Sequence, residues 1–117
     1  MSTSLSQIRT SNQIVGFRPA AKLVEAFYSG RTERTVLAYR QDLDDFRQFI
    51  GAVTVEDGAR RLIASDLGSA NGLVLAYKAH LIERGLQPAT VNRRLAALRS
   101  VVKHARTLGL VAWVLEV

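Results

Sequence analysis

In the segment Leu86–Leu108, LQPATVNRRLAALRSVVKHARTL, the local signals agree on one long helix. Pro88 suits a first turn, where its missing N–H costs nothing, and Thr90 offers a further candidate cap. Gly109 supplies the stop. Between them Val91, Leu95, Leu98, Val102 and Ala105 recur at helical spacing and form one apolar stripe. A second face, about a third of a turn away, carries Thr90, Arg93, Arg94 and the small Ala97. No acidic residue lies between Glu83 and Glu116, so Arg84, Arg93, Arg94, Arg99, Lys103 and Arg106 lack a counter-charge nearby in sequence. One buried face, one small and basic face and no neutralising carboxylate suit a helix that lies against a polyanion.

Composition supports that reading. The chain has 117 residues, room for one domain with a packed core, and 48% of them are hydrophobic. Two prolines and little β-branched alternation predict an all-α fold, a compact bundle of four to five helices. Cysteine is absent, which excludes disulfide scaffolds and thiolate metal sites and fits a cytoplasmic protein. A formal charge of +6 favours a nucleic acid or another anionic partner. No apolar run approaches the length of a membrane span, and the polar start MSTSLSQIRTSNQ does not resemble a secretory signal.

Moving outward from the basic helix, residues 1–15 are polar and aperiodic and are read as a disordered arm, with Arg9 part of a frayed terminus. Pro19 opens a short helix, PAAKLVEAFYSG, apolar at Leu23, Val24 and Phe27 and closed by Gly30. From Arg31 to Ile50 the residues Val36, Tyr39, Leu43, Phe46 and Ile50 predict a second long helix, with Thr32 as its N-cap. Arg31, Arg34 and Arg40 come early in it and Asp42, Asp44 and Asp45 late, partly against the helix dipole. That order makes sense where the amino-terminal end faces phosphate; a solvated charged face is the bland alternative. Gly51–Gly68 is a connector with a weak helix over Glu56–Ala64, its Leu62 and Ile63 buried. Ser69 or Asn71 would cap another long helix, its start left open by Gly72. Leu73, Ala76, Tyr77, Leu81 and, as an option, Val74 supply its apolar face, and Gly85 ends it. After Gly109 the apolar LVAWVLEV carries no cap or turn, and the expectation is that the natural chain continues beyond Val117.

Nothing in the sequence builds a catalytic or cofactor site. His80 and His104 lack a helix-spaced metal-ligating partner and read as surface or boundary residues. Asp42, Asp44 and Asp45 fall on different helix faces and read as solvated charge rather than an acid–base pair or a metal site. Tyr39, Tyr77 and Trp113 lie in apolar surroundings, which favours packing over base stacking. No metal and no cofactor is expected.

Three motifs in order then carry a family resemblance: T-E-R-T-V-x-x-Y-x-x-D-L-x-x-F-x-x-F-I at Thr32–Ile50, Y-K-A-H-L-I-E-R-G-L at Tyr77–Leu86, and P-A-T-V-N-R-R-L-A-A-L-R-S-V-V-K-H-A at Pro88–Ala105. Over about Lys22 to Leu110 the chain resembles the amino-terminal, SAM-like core-binding domain of tyrosine recombinases and phage integrases. The resemblance implies a helical domain over residues 16–110 that forms one half of a clamp on double-stranded DNA, with residues 111–117 starting a linker. It implies DNA-facing positions at Arg31, Arg34, Thr35, Ala38 and Gln41 in one helix and at Thr90, Arg93, Arg94 and Ala97 in the other. The second set coincides with the face that periodicity marks. Strand exchange through a 3′-phosphotyrosine would belong to a separate carboxy-terminal domain, so Tyr28, Tyr39 and Tyr77 are not nucleophile candidates. Partners would be that catalytic domain and other recombinase protomers on DNA, with no membrane. Two departures stand out: the long, glycine-rich link over Gly51–Ser69, and the missing Asn-Pro after the last helix. Other classes that fit the pattern are a helix-turn-helix regulator and a helical protein-interaction domain. Against the former, two long helices flank Gly85 where a short pair with a tight turn is needed.

Overall fold

The computed structural model describes residues 19–117, and the arm expected over residues 1–15 lies outside them. Five helices follow in order: α1 (Pro19–Tyr28), α2 (Glu33–Ile50), α3 (Val55–Ala64), α4 (Leu67–Glu83) and α5 (Pro88–Thr107). No strand occurs among the described residues.

The local chemistry explains most boundaries. Thr32 caps α2: its hydroxyl oxygen accepts the Thr35 amide N–H at 3.2 Å. Thr54 does the same for α3 through the Asp57 amide, at 3.0 Å. The start of α4 differs from the Ser69 or Asn71 expectation. Asp66 is the cap, accepting the Ser69 amide at 2.7 Å, so Gly68 and Gly72 lie inside the helix. At α5 the N-cap is Gln87, without a side-chain hydrogen bond, and Pro88 opens the first turn; Thr90 lies inside the helix and does not cap it. Gly109 ends α5 with φ +75°, and the Leu110 amide reaches back to the Ala105 carbonyl at 2.8 Å.

The core gathers around α5, which packs on all four other helices. Leu23, Val24 and Phe27 of α1, Leu43 and Phe46 of α2, Leu62 of α3 and Val74, Tyr77 and Leu81 of α4 are buried against it or beside it. The expected apolar face of α4 shifts: Val74 is fully buried, whereas Ala76 is exposed. On α5 the buried set is wider than the sequence stripe and adds Ala97 and Val101. A central helix with neighbours on several sides has to bury more than one stripe. Ala97, expected on the outward basic face, has no exposed surface at all. That expectation is corrected, because the small side chain marks close helix approach and not a groove for a partner. After α5 the chain turns back without regular structure. Leu115 is buried, the Glu116 amide donates to the Asn71 side-chain carbonyl at 2.8 Å, and the Arg99 guanidinium donates to the Val117 main-chain oxygen at 2.7 Å.

Candidate nucleic-acid interface

The amino-terminal half of α5 lies against the middle of α2, and charge fixes where they meet. Asp42 of α2 is 1% exposed. Its carboxylate accepts Arg93 Nη2 at 2.7 Å and Arg93 Nε at 3.2–3.3 Å, a side-on fork. Arg94 turns inward from the neighbouring position. Its Nη1 is 2.8 Å from Asp45 Oδ2 and its Nε 3.7 Å from Asp42 Oδ1. Both nitrogens are buried without an aligned hydrogen bond, so this contact works through charge. Asp45 also accepts the Tyr77 hydroxyl at 2.7 Å and Arg84 Nη1 at 3.0 Å. One ionic network thus joins α2, α4, α5 and the link before α5.

The network changes two expectations. Asp42 and Asp45 are not solvated charge; only Asp44 fits that description, paired along its own helix with Arg47 at 2.7 Å and Gln48 at 2.8 Å. Arg84, Arg93 and Arg94 do have counter-charges, supplied by a helix far upstream. Asp42 and Arg93 are 51 positions apart, beyond any local pattern. The signal open to inspection was that Asp42 and Asp45 adjoin the Leu43–Phe46 stripe, so both lie at the edge of the buried face. Burial pushes the Asp45 carboxyl up, yet the hydrogen bonds from Tyr77 and Arg84 and the charge of Arg94 outweigh it and hold the group below the usual carboxylate range. The same burial, with the Asp45 contact, pushes the Tyr77 phenol far up, so it stays a donor.

The remaining candidate positions lie within a few turns of the Asp42–Arg93 contact. Arg34 and Gln41 are exposed on α2, with Thr35 and Ala38 half-buried between them. Thr90, half-buried, is one turn before Arg93 on α5. Arg31 is folded back: its Nε donates to the Phe27 carbonyl at 2.6 Å and its guanidinium lies 4.7 Å from the Tyr39 ring centre. Arg93 has a half-exposed side chain, Arg94 only 16%. By helical spacing Arg34, Thr35, Ala38 and Gln41 share the side of α2 that carries Asp42, and Asp42 is where α2 meets Arg93 of α5. Arg31 becomes a staple between α1 and α2, Arg94 an internal strut and Ala97 part of the core. His104 is half-buried, edge-on to Phe27 at 5.7 Å, as befits a boundary histidine. Among the described residues no cluster of His, Cys, Asp or Glu suits a metal ion, and no helix is long and apolar enough to cross a membrane.

The domain is thus all-α, with α2 and α5 joined by a buried carboxylate–arginine contact. Residues 26–108 match the family model of the phage integrase N-terminal SAM-like domain, and the chain belongs to that family. It is 35% identical over 95 residues to a tyrosine recombinase of Synechocystis sp., covering 80% of this chain and 30% of that protein. To a tyrosine recombinase of Synechococcus elongatus it is 41% identical over 90 residues, 74% of this chain and 27% of the relative. The chain thus spans less than a third of either relative. No solved structure matches it.

Proposed function

We propose that this domain grips duplex DNA for a site-specific tyrosine recombinase and carries none of the strand-exchange chemistry itself. The observation that carries this is the crossing of α2 and α5. Arg34, Gln41 and Arg93 are exposed beside it, while the neighbouring Asp42 carboxylate is buried and that of Asp45 is partly covered by its partners Tyr77, Arg84 and Arg94. A patch with its cations outside and its acids inside attracts phosphate more than a formal count of charges suggests. The first turn of α5, uncapped by any side chain, adds free amides at the same end. The two recombinase relatives support the assignment, and their greater length leaves room for a catalytic domain and for contacts between protomers on DNA. The buried or packed state of Tyr39 and Tyr77 supports the non-catalytic role. As a helix-turn-helix regulator the chain fits poorly, since α4 and α5 run to 17 and 20 residues.

Fluorescence anisotropy with a labelled duplex at two salt concentrations tests this. Binding in the non-specific range of roughly 10⁻⁴–10⁻⁶ M, weakening steeply with salt, is expected, because one half of a clamp has few phosphate contacts. Salt-independent binding, or none, would favour a protein-interaction domain. A protein–DNA adduct that survives denaturation would refute the non-catalytic reading.

A further inference from the structure

We propose that Asp42 is a positioning residue for DNA binding: it holds the Arg93 guanidinium by one edge and so aims the other edge at a phosphate. This rests on the DNA-binding reading above. A guanidinium has five N–H donors in a rigid plane. Asp42 takes Nε and one hydrogen of Nη2, the side-on edge. Both hydrogens of Nη1 and the second of Nη2 remain; one Nη1–H and that Nη2–H form the end-on fork that matches two phosphate oxygens. Because the plane is fixed from one side, the free fork has a set direction before any ligand arrives. Asp42 is buried to 1% while the Arg93 side chain is half exposed, so the anchor is inside the domain and the fork outside. A long side chain free in solvent loses rotamer freedom on binding; one already clamped loses far less.

The proposal makes a prediction whose sign opposes simple electrostatics. D42N removes a negative charge close to the DNA face, which by charge alone should tighten binding. Positioning predicts the reverse. The Asn amide presents N–H toward the Arg93 donors, the side-on fork is lost, and affinity falls about two- to tenfold. The mutant cycle with R93A separates aiming from general support of the fold. In the R93A background no fork is left to aim, so D42N should leave affinity unchanged or raise it. R93K gives a second route that leaves Asp42 in place: it retains the charge without the fork and should weaken binding by a similar factor.

Anisotropy titrations of the 117-residue chain and these variants, with folding checked by circular dichroism, decide the matter. A folded D42N that binds as well as or better than the unchanged chain overturns the proposal. So does an equal loss from D42N with and without Arg93, which marks a purely structural role. Should D42N fail to fold, R93K decides: affinity equal to that of the unchanged chain overturns the aimed fork. If the unchanged chain shows no salt-dependent DNA binding, the functional assignment itself fails, a result distinct from all of these.

Discussion

Helices α4 and α5 have exchanged the places their compositions suggest. Between Leu67 and Ile82 the charged residue of α4 is Lys78, yet the helix sits at the edge and exposes Leu67, Leu75 and Ile82 by 41%, 55% and 57%. By contrast α5 carries Arg93, Arg94, Arg99, Lys103 and Arg106, yet it is the central helix and buries seven residues. The difference teaches that charge content does not set depth in a bundle. What matters is whether apolar and small residues cover enough of the circumference, and whether each cation can reach water or a carboxylate. Arginine meets the second condition easily, since its long stem carries the charge away from the backbone. On α4, by contrast, the outward apolar residues are spaced along the helix with small ones between them, a face the fold tolerates without using it.

The comparison can be broken most directly by truncating one helix in its core. Leu98→Ala on α5 should cost about 2–5 kcal/mol, because Leu98 is 2% exposed amid close-packed neighbours; urea denaturation measures it. Removing the strut comes next. Arg94→Ala leaves the buried Asp42 and the partly covered Asp45 with less compensation and should cost about 3 kcal/mol, whereas Arg99→Ala should stay within about 1 kcal/mol. A smaller effect is expected from Tyr77→Phe, about 1.5 kcal/mol at neutral pH, since it removes a hydrogen bond to a charged group. It also sharpens the pH response. The carboxyl of Asp45 is held low in the folded state, so its contribution is present above the unfolded carboxylate range and is lost as pH falls below about 4. Thermal melts between pH 3 and 7 should therefore show a shallower acid limb in the Tyr77→Phe variant than in the unchanged chain. The smallest change belongs to α4: Ile82→Ala, on the exposed face, should stay within about 0.5 kcal/mol. A loss as large as that of Leu98→Ala would show that the outer face of α4 is covered in solution.

Much of this architecture was legible in the sequence where the signals are local. The stripes of α2 and α5, the Thr32 cap and the glycine stop at Gly109 each depend on residues a few positions apart. Ala97 was misplaced because alanine declares no side: it suits a buried seam as well as a surface. The Asp66 cap was missed because Gly68 and Gly72 read as helix breakers, although a well-capped helix on a core tolerates both. The ionic network was out of reach for a different reason. Nothing in the stretch around Asp42 announces arginines 51 positions later, and nothing around Arg93 announces a buried acid. Of the candidate interface, then, periodicity located the helix but could not separate Arg93 from Arg94.

The separation of Asp42 from Arg93 also has a consequence on the ribosome. Until α5 has been synthesised, Asp42 of α2 lacks its arginine partners, and α1 has α3 but not α5 to pack against. At about 5–20 residues per second, the 51 positions between the two partners take about 3–10 s to translate. Through that interval α3 is the helix available to the apolar stripe of α2, and the share of the core that α5 supplies, with Val91, Leu95 and Leu98, is still missing. The contacts of α3 with α1 and α2 can therefore begin to form while the chain emerges, and α5, which packs on all four other helices, completes the core and buries Asp42.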